Sequence, residues 1–212
     1  MKDRKPLVCV LLSTYNGSAF LEEQIESIVN QTNVEIQILI RDDGSKDETL
    51  KIINKCISKY SSVITLIIGE NIGFAESFMF LVENCPKADY YSFSDQDDIW
   101  EKEKLERAIS RIDINTPMLY GSNLKAYDMV ENRRFMVYGL QNKKRNEKIM
   151  KEYIFISNPH GCTMVWNQAL QNELNKRRKP KGLTHDVWVN LVAGCKGRIY
   201  FDYDCSFINY RI

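Results

Sequence analysis

A chain of 212 residues carrying 29 lysines and arginines against 28 acidic residues has room for one full core and almost no net charge. That balance excludes functions driven by a strong overall field, such as nonspecific nucleic-acid binding. Six cysteines without a CxxC pair (Cys9, Cys56, Cys85, Cys162, Cys195 and Cys205) fit small buried thiols in a reducing compartment.

The N-terminal apolar run, residues 7–12, is too short to span a membrane and lacks a signal-peptide cleavage pattern, so a soluble cytoplasmic protein is expected. Residues 7–13 read as a strand buried on both faces. After Asn16-Gly17-Ser18, the residues Leu21, Ile25, Ile28 and Val29 recur at helical spacing, with Glu22 and Glu23 in the first turn. Residues 36–40 form a second strand ending at Arg41-Asp42-Asp43-Gly44. Ser45 and Glu48 then stand at capping-box spacing before a helix with Leu50, Ile53, Ile57 and Tyr60 on its apolar face. Residues 63–68 are a third strand, and Phe74, Phe78, Leu81 and Val82 mark a third helix. A fourth strand covers 88–93, and Leu105, Ala108, Ile109 and Ile112 mark the helix after it. The alternation predicts a parallel α/β sheet whose ligand lies beyond the carboxyl ends of the strands. The polar motifs after strands one, two and four all fall at that edge.

Beyond Pro117 the pattern loosens. Strands are expected over 118–127, 135–138, 153–156, 162–166 and 198–210, with a polar loop over 141–151 and a helix over 183–193. No linker divides the chain, so 1–212 reads as one domain with a 1–116 half and a 117–212 half. The basic run 175–181 reads either as a solvated helix end or as a surface for anionic lipid or an acceptor phosphate.

The segment Ser94-Asp95-Gln96-Asp97-Asp98-Ile99-Trp100 places three carboxylates in four positions. Two readings are open: oxygen ligands for a hard divalent cation, or a solvated acidic turn opening a helix. A calcium loop of the EF-hand type fails, because Trp100 stands where its turn glycine belongs. Asp42-Asp43-Gly44-Ser45 taken alone is equally a strand-to-helix turn, and His185-Asp186 equally a helix start. His160 reads as a structural loop residue, and Trp166 and Trp188 as core or rim aromatics.

Taken in order, Ser13-Thr14-Tyr15-Asn16, Asp42-Asp43-Gly44-Ser45 and Asp95-Gln96-Asp97-Asp98 resemble the family 2 glycosyltransferases, inverting enzymes of the GT-A fold. Gly161-Cys162-Thr163-Met164, His185-Asp186-Val187-Trp188 and Tyr210-Arg211 narrow the resemblance to bacterial rhamnosyltransferase-like members that assemble polysaccharide. The resemblance implies a mostly parallel, Rossmann-like sheet flanked by helices (the nucleotide-diphospho-sugar transferase fold), with a nucleotide-binding half and a smaller mixed acceptor half. It implies nucleotide contacts from Ser13, Thr14, Tyr15, Asn16, Asp42, Asp43, Asn71, Gly73, Asp95 and Gln96. In this reading Tyr15 stacks on the base and Asp43 accepts its imide N–H. Asp95 and Asp97 hold Mn2+ or Mg2+, and Asp186 is the catalytic base. Asp98, Trp100, Gly161, Cys162, His185 and Trp188 fall on the donor or acceptor sugar. The implied partners are a nucleoside diphosphate sugar, dTDP-rhamnose or a UDP-sugar, and a saccharide or lipid-linked acceptor at the inner face of the membrane.

Family members of this type continue past the closing Tyr-Arg with a His-Gly-x-Asn-like segment, so a chain ending at Ile212 is expected to be shortened there. The Gln-x-x-Arg-Trp motif of processive synthases is missing. Two other classes compete: a non-catalytic nucleotide-sugar or saccharide binder, and a sugar-phosphate nucleotidyltransferase. The second needs a glycine-rich loop after strand one, where Gly17 is the single glycine.

Overall fold

The computed structural model describes residues 4–128, 132–136 and 159–211. The alternating half folds as β1 (Leu7–Thr14), α1 (Leu21–Val29), β2 (Glu35–Asp42), α2 (Thr49–Lys59), β3 (Ile64–Ile68), α3 (Phe74–Asn84) and β4 (Tyr90–Ser94). After it come β5 (Ile99–Trp100), α4 (Lys104–Ile109), β6 (Met118–Asp128), β7 (Arg133–Met136), a 3-10 turn at Gly161–Thr163, β8 (Val165–Asn167), α5 (Gln168–Asn175), α6 (His185–Lys196) and β9 (Arg198–Arg211). These strands join in one sheet of order β3-β2-β1-β4-β8-β6-β9-β5, with β7 also on β6. The first four are mutually parallel, β8 runs antiparallel to both its neighbours, and β6 and β9 are parallel.

Strand β1 shows why the sequence folds this way. Val8, Val10 and Leu12 enter one core layer with α1, α2 and α4, while Cys9 and Leu11 enter the other with α3, α5 and α6. An apolar run that alternates between two helical layers has no solvent face, so it must lie in the middle of the sheet. The chain then departs in opposite directions, to β2 on one side and β4 on the other. That leaves a crevice at the carboxyl end of β1, where open α/β sheets bind ligands.

Several expectations shift. The Ser45–Glu48 capping box does not form: α2 starts at Thr49, and Glu48 offers no side-chain cap. The Ser45 hydroxyl instead accepts from the Asn16 N–H at 2.9 Å, and Asp47 Oδ1 takes the Thr49 N–H at 3.0 Å. The acidic motif does not open a helix directly, because Ile99–Trp100 first pair antiparallel with β9. Of the expected strand 162–166, the first part winds as a 3-10 turn, in which the Thr163 and Met164 N–H groups donate to His160 and Gly161 carbonyls at 2.9 Å. The helix expected over 183–193 is α6, since Leu183 is held in a turn by Pro180. In the basic run, Lys176 and Arg177 pair with Glu173, and the buried Lys179 ammonium pairs with Glu76 at 2.7 Å. The 141–151 loop and the 153–156 strand lie outside the described residues.

Where β6 and β9 begin, the Arg198 N–H donates to the Pro117 carbonyl at 2.9 Å. A Cβ at Gly197 would overlap that same carbonyl group, which is backbone and cannot swing aside. Gly197→Ala is therefore expected to lower the melting temperature by the equivalent of about 1–3 kcal/mol of overpacking. A thermal melt matching the unsubstituted protein would show that this junction yields.

Candidate functional site

The loop after β1 is clamped to the loop after β4. Gln96 Oε1 accepts from the Thr14 hydroxyl at 2.8 Å and from the Tyr15 N–H at 2.9 Å. Gly17 is required beside it, because a Cβ would stand 2.6 Å from that oxygen. Ser13 donates to Ser77 of α3 at 2.6 Å, and Asn16 Oδ1 takes the Lys46 N–H at 2.9 Å. The Tyr15 ring is left standing at the rim, 42% exposed.

The two aspartates after β2 are spent differently. Asp42 is buried, and its Oδ2 closes the turn by accepting the Gly44 and Ser45 N–H groups at 3.2 and 3.0 Å. Asp43 forms a buried ion pair with Arg41, and it accepts the Ile72 and Gly73 N–H groups at 3.0 Å each. Three of the carboxylate's roughly four lone-pair positions are thus filled. Arg41 is itself fixed by Ser77 Oγ at 3.1 Å, by the Glu70 carbonyl at 3.0 Å and by the Phe80 ring at 5.2 Å. Sequence reasoning missed Arg41. The signal was a cation at the end of an apolar strand, which has to find a carboxylate if it is buried.

These loops surround a cleft of about 500 Å³. Ser13, Tyr15, Asp43, Asn71, Gly73, Asp95, Gln96 and Asp97 line it, joined by Phe74 and Phe78, which the motifs did not single out. Asp95 sits among like charges. Burial, then Asp97, then Asp186 push its carboxyl from 3.8 up to about 7. The contribution of Asp186 means that α6 brings its first-turn carboxylate close to the end of β4. Asp186 Oδ1 accepts from the Thr184 hydroxyl and from the Val187 N–H. Its Oδ2 has no hydrogen bond among the described residues.

Asp98, Trp100 and Cys162 do not face the cleft. All three are buried behind its wall, where the β5–β9 pairing turns the chain inward. Lys104 is buried with them, its ammonium 3.1 Å from Ser92 Oγ and 3.4 Å from the centre of the Trp100 ring. Burial pulls this amine down to about 7 and raises the Asp98 carboxyl and the Cys162 thiol well above their usual ranges. His185 is also buried, stacked on Phe78 at 4.2 Å and edge-on to Phe93 at 4.7 Å, and burial holds it neutral with a pKa of about 4. Gly161 makes room for it, since a Cβ there would stand 2.9 Å from His185 Nε2. Trp188 is half-buried two residues along α6 from Asp186.

The family profile described as glycosyl transferase family 2 matches residues 9–174. The dTDP-rhamnosyl transferase RfbG of Shigella flexneri is 35% identical over 169 residues, covering 78% of this chain and 56% of that protein. Among solved structures, S. aureus TarS 1-349 in complex with UDP-GlcNAc superposes with a TM-score of 0.71 at 21% identity, covering 97% of this chain and 58% of that one. The mannosyltransferase PcManGT from Pyrobaculum calidifontis, in complex with GDP-Man and Mn2+, superposes with a TM-score of 0.72 at 17% identity, covering 95% and 56%. The chain thus spans a little over half the length of these relatives.

The raised carboxyl of Asp95 has a consequence for stability. The folded chain keeps that proton up to about pH 7, while the unfolded chain releases it near 3.8, so stability is lost as pH rises through this window. In the presence of chelator, Asp95→Asn should raise the melting temperature at about pH 8 and much less at about pH 4. Each kcal/mol of relieved repulsion is worth roughly 2–4 °C. An equal gain at both pH values would place the strain elsewhere.

Proposed function

The chain belongs to glycosyl transferase family 2 and has the GT-A fold, and from that premise we propose that the protein is an inverting glycosyltransferase acting in cell-surface polysaccharide assembly. It moves one sugar from a uridine or thymidine diphosphate donor, dTDP-rhamnose or a UDP-sugar, to a saccharide or lipid-linked saccharide. Residues 1–116 supply the donor site and 117–212 the acceptor side. No helix among the described residues is long and apolar enough to cross a membrane. In this reading the reaction takes place in the cytoplasm, at the inner membrane face if the acceptor is a lipid.

The observation that carries this reading is one cleft of about 500 Å³ that is lined both by Tyr15 and Asp43 and by Asp95 and Asp97. In the first pair Tyr15 offers an exposed ring for stacking, and Asp43 has one lone-pair position left. A uracil or thymine carries an N3–H donor for that position, and cytosine does not. In the second pair, the repulsion that raises the Asp95 carboxyl is what a cation would relieve, so the residues present fit a metal. Asp95 and Asp97 would hold Mg2+ or Mn2+, whose oxygen-ligand preference they match. The ion supplies Lewis-acid neutralisation of the leaving diphosphate.

Asp186, on α6, is close enough to Asp95 to raise its carboxyl. As the acceptor oxygen bonds to the anomeric carbon and the bond to the diphosphate oxygen breaks, the hydroxyl proton passes to Asp186 Oδ2. The Thr184 hydroxyl and Val187 N–H hold Oδ1 and so orient the carboxylate. One displacement from the opposite face inverts the anomeric centre without a covalent intermediate.

In a transfer assay, Asp186→Asn should cut turnover by roughly 10²–10⁴-fold and leave donor affinity near normal. Asp97→Asn should weaken both and remove the metal-dependent part of nucleotide-induced thermal stabilisation. Near-normal turnover in Asp186→Asn would assign the base to another residue. Competition titration provides a separate check on the pocket: uridine diphosphate should bind better than cytidine diphosphate, and Asp43→Asn should erase the difference. Equal binding of the two nucleotides to the unsubstituted protein would remove Asp43 from the base.

A further inference from the structure

Behind the cleft wall is a second cluster of ligand atoms, of which the transfer chemistry uses only Asp95. One oxygen each from Asp95 and Asp98 and the Cys162 sulfur lie within 4.8 Å of one another. Asp98 is 1% exposed, and apart from the neighbouring Cys162 thiol no protein group among the described residues reaches either of its oxygens. A carboxylate cut off from water in this way ordinarily finds donors or a cation. The nearest buried cation does not meet the need by contact: the Lys104 ammonium donates to Ser92 and lies over the Trp100 ring. That leaves the Asp98 carboxylate with a weak thiol donor as its nearest partner, beside Asp95 in the same cluster.

The donor set defines the ion. Magnesium, manganese and calcium prefer oxygen throughout, whereas a thiolate beside carboxylates suits zinc and its borderline-soft neighbours. Two oxygens and one sulfur leave one tetrahedral position for water. Asp95 also lines the cleft, so an ion entering from solvent meets it first.

We propose that Asp95, Asp98 and Cys162 form a binding site for a thiophilic divalent cation of the zinc class, separate from the Asp95/Asp97 pair of the donor site. The two sites share the Asp95 carboxylate. An ion on the buried side draws Asp95 away from the cleft, so the two ions compete for it. The buried site needs no nucleotide, and it stands or falls independently of the glycosyltransferase reading.

Cobalt(II) added alone to the purified reduced protein tests this, because a cobalt–thiolate bond gives a near-ultraviolet charge-transfer band that oxygen ligands do not. The expected result is a band saturating at one ion per chain and displaced by zinc. Cys162→Ser should abolish it, and Asp98→Asn should weaken cobalt binding by at least about tenfold, since even outer-shell partners of a metal are worth that much. Cys195→Ser, at the exposed cysteine, and Asp97→Asn should both retain the band. No band, a band that survives Cys162→Ser, or one that disappears with Cys195→Ser or Asp97→Asn would overturn the site. If Cys162→Ser does not fold, Asp98→Asn decides, and unchanged cobalt affinity there refutes the proposal.

Discussion

Parallel strands ending at one edge bring their loops together, and in this chain the loops are acidic. Asp42, Asp43, Asp95, Asp97 and Asp98 all follow β2 or β4, and α6 adds Asp186. That crowding is the constraint to which the rest of the site responds, and the chain meets it in two ways. On the β2 side protein groups answer each charge: Asp42 takes turn N–H groups, and Asp43 takes Arg41 and two more. On the β4 side no cation side chain among the described residues lines the cleft, and the Asp95 carboxyl is pushed up instead. Under the proposed function the first flank would receive a neutral heterocycle, and the second keeps a deficit of positive charge that an ion would fill.

The Arg41–Asp43 pair shows how much of the preorganised flank is core rather than surface. Both side chains are nearly inaccessible, and removing one partner of such a pair strands a buried charge at a cost of about 3–5 kcal/mol. The guanidinium also needs Gly69, whose Cβ would stand against Arg41 Nη2. Through Asp43 it fixes the Ile72–Gly73 backbone, where Gly73 adopts a φ of 83° that favours glycine. The pocket wall after β3 therefore depends on an arginine at the end of β2. It is a structural ion pair with one acceptor position left over for a ligand.

Much of this was legible in the chain, for a physical reason. Runs buried on both faces, such as Val8–Leu12, admit one reading, so the parallel half and the edge that collects its motifs emerged with boundaries close to those observed. What failed to emerge involved partners distant in sequence. Ile99–Trp100 is too short to carry a periodicity, and its strand partner is about a hundred residues downstream. Ser45 has the right spacing for a cap but meets Asn16 instead. The family resemblance placed Asp98, Trp100 and Cys162 near the sugar. The direction in which the chain turns after Asp97 put them behind the wall, and no local pattern encodes that direction. Asp95, Gln96 and Asp97 all stay on the cleft side.

The position of Asp186 depends on packing more than on its own loop. His185, its neighbour, is held between Phe78 of α3 and Phe93 of β4, and Phe93 stands two residues before Asp95. Asp186 and Asp95, close enough for one charge to raise the other's carboxyl, are thus connected through a single ring contact in the core. Gly161 is the other condition, since any side chain there would push His185 and α6 outward. A neutral, unprotonated imidazole suits this place, because an imidazolium among phenyl rings would lose its hydration without a partner. The separation between Asp95 and Asp186 is therefore set by core packing of His185 against Phe78 and Phe93. Cores resist compression, so that separation varies less than loop-borne residues would allow.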